Sequence, residues 1–262
     1  MWSLDDIEFY ALWTELANDV LPLPFTFTSR AAGRNEFESD MQAARVALRE
    51  RVGRSLDPVM EVIRKPDLSV VICGWDEEDP MSPSGQVRVF AARRGSHGYV
   101  VKCAMGKTYW YDRRYTIVEC DPLRLADEVV AALPEVGPGT RGDVVLGSGR
   151  SSDRDISFSP SSIKDSMVVS TVDRAREFER LPSTGIGEII VSQGESVFGP
   201  RGIKRHELRW RDIRDDGRYV ITDQEPPIAV AADTQRAVSV VNSCIASVIR
   251  VIKDEREMSW RQ

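Results

Sequence analysis

The stretch from Leu68 to Asp121 constrains the fold of this chain more than any other. It holds a run of short segments, LSVVICGW, QVRVFAARR, GYVVKCAM, KTYWYD and YTIVECD, each rich in Val, Ile, Tyr, Phe or Trp. Residues of this kind suit a pleated, half-buried surface. Short strands joined by short turns must pair antiparallel, because a parallel pair needs a long crossover. One connection stands out. Asp76 to Gly85, DEEDPMSPSG, carries four consecutive acids, two prolines and a glycine, so an exposed loop is expected there.

A second series follows the same plan, with strands expected over 185–193, 202–211, 218–222 and 227–231. Within it lies LRWRDIRDDGRYVITDQ, whose charges could suggest an active-site mouth. Its local chemistry favours a hairpin. Asp215, Asp216 and Gly217 supply a turn with room for a left-handed glycine, and Tyr219 to Thr222 are strand formers. Arg218 has acids nearby to pair with, and Tyr219 has a core or a backbone group to reach.

Helical patterns flank both series. Ser3 is placed to cap a first helix, with Asp6 as its box partner and Leu4, Ile7, Phe9, Leu12, Trp13 and Leu16 as its apolar stripe. LPLPFTFTS ends that helix. A second is expected over 35–54, with Phe37, Met41, Ala44, Leu48 and Val52 on one face. Pro122 opens a third, and 167–181 reads as a fourth. Asp233 caps the last, with Ala237, Val241, Cys244, Ile245 and Val248 among its inward residues. The order is helix, antiparallel strands, helix, twice. The expectation is an α+β fold whose halves, about 1–134 and 163–262, share a sheet around a pseudo-two-fold axis. Residues 135–162, rich in Gly, Pro and Ser, are expected to join them.

Composition limits the function. The chain has 262 residues, of which 42% are hydrophobic, enough for a real core. Its formal charge is -6 with both signs interspersed, whereas a surface that tracks phosphates is more often basic. Arg201, Lys204, Arg205, Arg209 and Arg211 could form a basic face, but Glu207, Asp212, Asp215 and Asp216 dilute it. No apolar run approaches the roughly 20 residues that cross a bilayer, and the acidic start does not read as a signal peptide. A soluble cytoplasmic protein is expected.

The search for chemistry yields little. Cys73, Cys103, Cys120 and Cys244 form no CxxC pair and read as small buried hydrophobes. The histidines are His97 in a turn and His206 in a strand, without the ligand pattern of a zinc site. There is no G-x-S-x-G elbow. GPGTRG lacks the Lys-Ser or Lys-Thr of a phosphate loop, and GSGRSSDRD reads as loop. DEEDP could draw a cation but lacks calcium-loop spacing. Trp75, Trp110 and Trp210 fall in strand candidates, where alternation buries one face and exposes the other. An enzyme would need a pocket bringing His206 to carboxylates and a nucleophile. No catalytic, cofactor or metal residue is assigned, and a protein-binding scaffold fits better.

Ordered features along the chain carry a resemblance. They are Leu4, Phe9, Leu12, Trp13, Leu21, Pro22, Pro24 and Phe25, then Gly185, Gly187 and Glu188, then Asp216-Gly217-Arg218-Tyr219, then Ala232-Asp233 opening the final helix. In order and spacing the chain resembles the EspG family, cytosolic chaperones of type VII (ESX) secretion in mycobacteria and related actinobacteria. The resemblance implies a central antiparallel sheet with flanking helices and quasi-two-fold halves. It also implies a chaperone that grips the PPE tip of a PE–PPE heterodimer, keeps it soluble and directs it to its secretion system, with no catalysis and no cofactor. A strand-connecting loop and the C-terminal helical region are the implied contact regions. They match Asp76, Glu77, Glu78, Asp79 and Met81 in the loop, and Arg236, Ser239, Asn242, Ser243 and Arg250 in the last helix. The chain is somewhat short for that family. A scaffold or regulator with another secretion-related partner is the alternative.

Overall fold

The computed structural model describes residues 1–17, 20–111, 113–147 and 162–259, with the side chains of 162–170 and 259 left aside. Its centre is a single ten-stranded sheet in which every strand pair is antiparallel.

The first half begins with strand β1 (Trp2–Asp5) and helices α1 (Asp6–Ala17), α2 (Arg34–Val52) and α3 (Asp57–Arg64). It continues with strands β2 (Leu68–Trp75), β3 (Val87–Arg94), β4 (His97–Ala104) and β5 (Arg114–Cys120), and ends in α4 (Leu125–Val130). The second half opens with β6 (Val144–Val145) and α5 (Ser162–Arg180). Then come β7 (Ser183–Gln193), β8 (Arg205–Ile213), β9 (Gly217–Ile221), β10 (Ile228–Ala231) and α6 (Thr234–Ser259). Each half is thus one strand, helix, a four-strand meander, and a closing helix. Across the sheet the order is β1-β5-β4-β3-β2-β7-β8-β9-β10-β6. In each half the opening strand lies outermost and the first meander strand lies at the centre. The two central strands pair with Val70 opposite Val191 and Ile72 opposite Ile189, so the pseudo-two-fold axis passes between them.

Alternation along the strands sends apolar residues to both faces. On one face Val70, Ile72, Val89, Val100, Ile189, Leu208 and Trp210 pack against α4 and α6. On the other, Phe90, Val101, Tyr115 and Ile117 pack beneath α1 and α3. Farther along that second face, Tyr219, Ile221, Ala229 and Ala231 pack beneath Ala175 and Phe178 of α5. Each large side chain fully buried in these layers contributes about 1.5–3 kcal/mol.

Several expectations shift. The first helix starts at Asp6 rather than beside Ser3. Glu8 N donates to Asp5 Oδ1 at 2.9 Å and Asp5 N donates to Glu8 Oε2 at 3.0 Å. That is a capping box moved two residues along, and it leaves Trp2 to Leu4 free to pair with β5. KTYWYD contributes no strand over its described residues; Trp110 is 52% exposed. Arg113 explains why, because it is buried and donates to the backbone of Tyr109 and Thr26, folding this segment against the LPLPF stretch. Helix α3, buried through Val59, Met60, Val62 and Ile63, went unnoticed in the sequence because Pro58 resembles a breaker, although it sits at the start of the helix. In the 214–217 turn, Asp215 takes the left-handed conformation with φ 57°, whereas Gly217 has φ 152°. Gly217 is required on two counts: residues with a side chain rarely adopt that φ, and a Cβ there would run into the Pro138 carbonyl. Residues 134–147 therefore lie against the second half. Pro138 bridges to Arg218, and β6 pairs with β10. Most of GSGRSSDRD lies outside the described residues.

Candidate functional site

The 76–86 loop is a closed structure. The Asp76 carboxylate accepts from Glu78 N at 2.8 Å, and Ser82 N donates to Asp79 O at 2.9 Å. Gln86 Nε2 donates to Pro80 O at 2.7 Å, across the loop. The neck is tight enough that a Cβ on Gly85 would stand 2.7 Å from Asp76 Cβ. Two of the acids face the second half. Glu77 Oε2 accepts from Ser183 N at 2.9 Å, and Glu78 pairs with Arg214 at 2.5 Å. Asp79, Pro80 and Met81 form the outer tip, with Met81 56% exposed.

The α6 candidates lie elsewhere. Ser239 and Ser243 are exposed on the outer side of the helix, Asn242 is half-buried and Arg250 is exposed. Ser243 Oγ donates to Ser239 O at 3.0 Å. Arg236 is structurally engaged: it donates to Ala231 O at 3.0 Å and pairs with Asp143 at 2.6 Å. Arg236 and Arg250 are separated by about 21 Å along the helix axis. The five α6 residues and the loop are therefore not one compact patch.

A surface that sequence reasoning missed adjoins the loop. The α1–α3 layer reaches Val71 and Ile190, and α5 covers β9 and β10. Between these coverings, among the described residues, part of the same sheet face is open over β2, β7 and β8. Cross-strand register places Trp75 beside Ile186, Cys73 beside Glu188, Glu188 beside Arg209 and Ile190 beside Glu207. Trp75 and Ile186 are half-buried, while Glu188, Glu207 and Arg209 are exposed. Trp75 runs directly into Asp76, so strip and loop are continuous. The available signal was the charge at alternate positions of β8, Arg205, Glu207, Arg209 and Arg211, which marks a sheet face left to solvent.

Beneath the strip the sheet is locked. Trp210 packs against the glycine pair Gly74 and Gly187; a Cβ on Gly187 would stand 2.5 Å from Trp210 Nε1. The Arg218 guanidinium lies 5.5 Å from the Trp210 ring centroid and forks onto Asp212, with both bonds at 2.7 Å. Tyr219 is fully buried; its hydroxyl donates to Asp216 Oδ2 at 2.8 Å and accepts from Arg141 N at 3.2 Å. Burial, first, and the bond to Asp216 push the Tyr219 phenol up to about 12.

The other chemical candidates resolve as follows. Arg205 pairs with Glu207 at 2.7 Å, and Arg211 donates inward to Leu181 O at 2.6 Å, so the five basic residues form no continuous cationic face. His97 is exposed at the start of β4. His206 meets Asp223, Nδ1 to Oδ2 at 2.7 Å, with Cys244 close by. Burial and the Asp223 carboxylate push the Cys244 thiol up to about 11, which makes it a poor nucleophile at neutral pH. A cavity of about 670 Å³ lies between α1, α2 and the 27–30 segment, lined by Asp5, Glu8, Arg30, Asp40 and Arg113, far along the chain from His206. No helix among the described residues is long and apolar enough to cross a membrane.

No curated protein matches this chain. Among solved structures, it is similar to the Mycobacterium tuberculosis type VII secretion system chaperone EspG5, solved in complex with the PE25–PPE41 dimer. The TM-score is 0.54 at 15% identity, over 93% of this chain and 95% of that one, which is a likeness of fold. The sequence itself matches the EspG family model over residues 6–241, and the chain belongs to the EspG family.

Proposed function

We propose that this protein is a cytosolic chaperone of type VII (ESX) secretion that binds the PPE subunit tip of a PE–PPE heterodimer. It keeps that cargo soluble and directs it to its secretion system, without catalysis. Family membership carries this reading, supported by the fold shared with a chaperone solved in complex with PE25–PPE41. An apolar cargo tip is an aggregation hazard, and a chaperone must cover it reversibly. The 76–85 loop and the adjoining β2–β7–β8 strip suit that task. Met81, Trp75 and Ile186 supply apolar anchors, and Asp79, Glu188, Glu207 and Arg209 supply a charged surround that limits wrong partners. Ser239, Asn242 and Ser243 belong to the helix on the opposite sheet face. They form a second candidate surface that one cargo tip would not share with the strip.

The test is coexpression with the PE–PPE pair encoded by the same genome, followed by size-exclusion chromatography with mass measurement. A 1:1:1 complex is expected. Soluble PE–PPE eluting apart from this protein would reject the reading and favour a scaffold with another secretion-related partner.

A further inference from the structure

Three elements distant in sequence converge on one point of the α6-covered sheet face. His206 lies at the start of β8 opposite Val191, which places it on the side facing α6. Cys244 projects inward from α6 and is 7% exposed. Asp223 lies in the connection between β9 and β10 and is partly open to solvent. One ring nitrogen of His206, a carboxylate oxygen of Asp223 and the Cys244 sulfur all lie within 4.8 Å of one another.

The packing of this cluster leaves something over. Nδ1 of His206 has Asp223 at 2.7 Å, but Nε2 is buried and has no hydrogen-bond partner among the described residues. In the neutral ring that nitrogen is an unsatisfied acceptor, and in the charged ring an unsatisfied donor. Either state is unfavourable, and apart from the bond to Asp223 no second hydrogen bond among the described residues holds the ring. An apolar residue at position 206 would bury as well and leave no such group.

We propose that His206, Asp223 and Cys244 form a binding site for a single zinc-class divalent cation, with the fourth coordination position open on the Asp223 side. The donor set is one imidazole, one carboxylate and one thiolate. This mixture suits zinc or cobalt and not magnesium or calcium, which take oxygen ligands. Metal–ligand bonds of about 2.0–2.3 Å put tetrahedral ligands about 3.5 Å apart, so the present spacing closes onto a cation by small side-chain movements. Three protein ligands with an exposed fourth position form an open site. Because the ligands come from β8, the β9–β10 connection and α6, an occupied site cross-links the last helix to the sheet.

Cobalt titration of the purified, reduced, chelator-free protein tests this. A single equivalent of Co²⁺ is expected to give the near-ultraviolet sulfur-to-cobalt charge-transfer band, and Zn²⁺ is expected to displace it. Cys244→Ala removes the band, while Cys73→Ala keeps it. His206→Ala and Asp223→Asn each weaken cobalt binding at least about tenfold. Zn²⁺ raises the melting temperature of the parent protein and leaves that of His206→Ala unmoved. If circular dichroism finds Cys244→Ala unfolded, the His206 and Asp223 variants decide alone. No band in the parent protein at millimolar cobalt would overturn the proposal. So would a band that survives Cys244→Ala, or unchanged affinity in both the His206 and Asp223 variants.

Discussion

The Arg218–Asp212 pair offers a quantitative test of how the second half is held. Both side chains are almost wholly buried, with 6% and 2% exposure. The guanidinium gives two parallel bonds to the carboxylate at 2.7 Å and a third to Pro134 O at 2.8 Å. The Arg218 backbone accepts from Gly139 N and donates to Gly137 O, so the pair also anchors the 134–139 segment against β9. Removing one partner strands the other charge in the interior, which costs about 3–5 kcal/mol. Asp212→Ala leaves the Arg218 guanidinium with the Pro134 carbonyl and the Trp210 ring but no counter-charge, and Arg218→Met leaves Asp212 with none. Removing both eliminates the stranded charge, so the double variant loses less than the sum of the singles, with a coupling of about 1–3 kcal/mol.

Urea unfolding at neutral pH, followed by far-ultraviolet dichroism and by tryptophan fluorescence together, measures this cycle. Trp210 reports directly, because Arg218 lies over its ring. For a chain of this size each kcal/mol moves the melting temperature by about 2–4 °C, so each single variant melts about 6–20 °C lower. The losses persist at high salt, because a buried pair is little screened. Single variants that lose less than about 1 kcal/mol, or a cycle that adds without coupling, would refute this account.

Three further outcomes follow from the geometry. Gly187→Ala places a methyl group against Trp210 and the Cys73 carbonyl across β2, and overpacking of this kind costs about 1–3 kcal/mol by urea unfolding. Glu255 is pushed up by burial but pulled further down by hydrogen bonds from Ser196, Val197 N and Gln193, leaving it below the usual carboxylate range. Its stabilising contribution is therefore present at neutral pH and lost as pH falls from about 4.5 through the lower folded value; Glu255→Gln has a flatter stability profile over that acid range. On the proposed function, Met81→Ser and Arg209→Glu each weaken PE–PPE capture by about 1–2 kcal/mol, roughly five- to thirtyfold by calorimetry, with the melting temperature unchanged.

The sheet was legible because its strands are short, β-rich and joined by turns whose residues name themselves. Asp233 likewise marked the start of α6, and its carboxylate accepts from Arg236 N at 2.7 Å. What escaped depends on contacts between distant parts of the chain. Aromatic content alone made KTYWYD resemble a strand, but Arg113 ties that segment to Thr26, 87 residues away. The site was legible only in part. The sequence marked the exposed acidic loop, but not that Glu77 and Glu78 reach across to Ser183 and Arg214. The histidine shows no ligand pattern along the chain because Asp223 and Cys244 arrive from two other elements.

The strip over β2, β7 and β8 follows from how the two halves differ. Around the pseudo-two-fold axis the meanders are alike, but the first half places three helices between its opening strand and its meander where the second has α5. The α1–α3 layer extends to the central strands, whereas α5 stays over β9, β10, β6 and the end of β8 at Arg211 and Ile213. The open strip therefore lies to one side of the axis, in the second half. There Glu188 of β7 and Glu207 and Arg209 of β8 stand exposed. A sheet with equivalent coverings would have no such opening. The asymmetry of the helices leaves a surface beside the 76–85 loop where a partner can be met by side chains held on rigid strands.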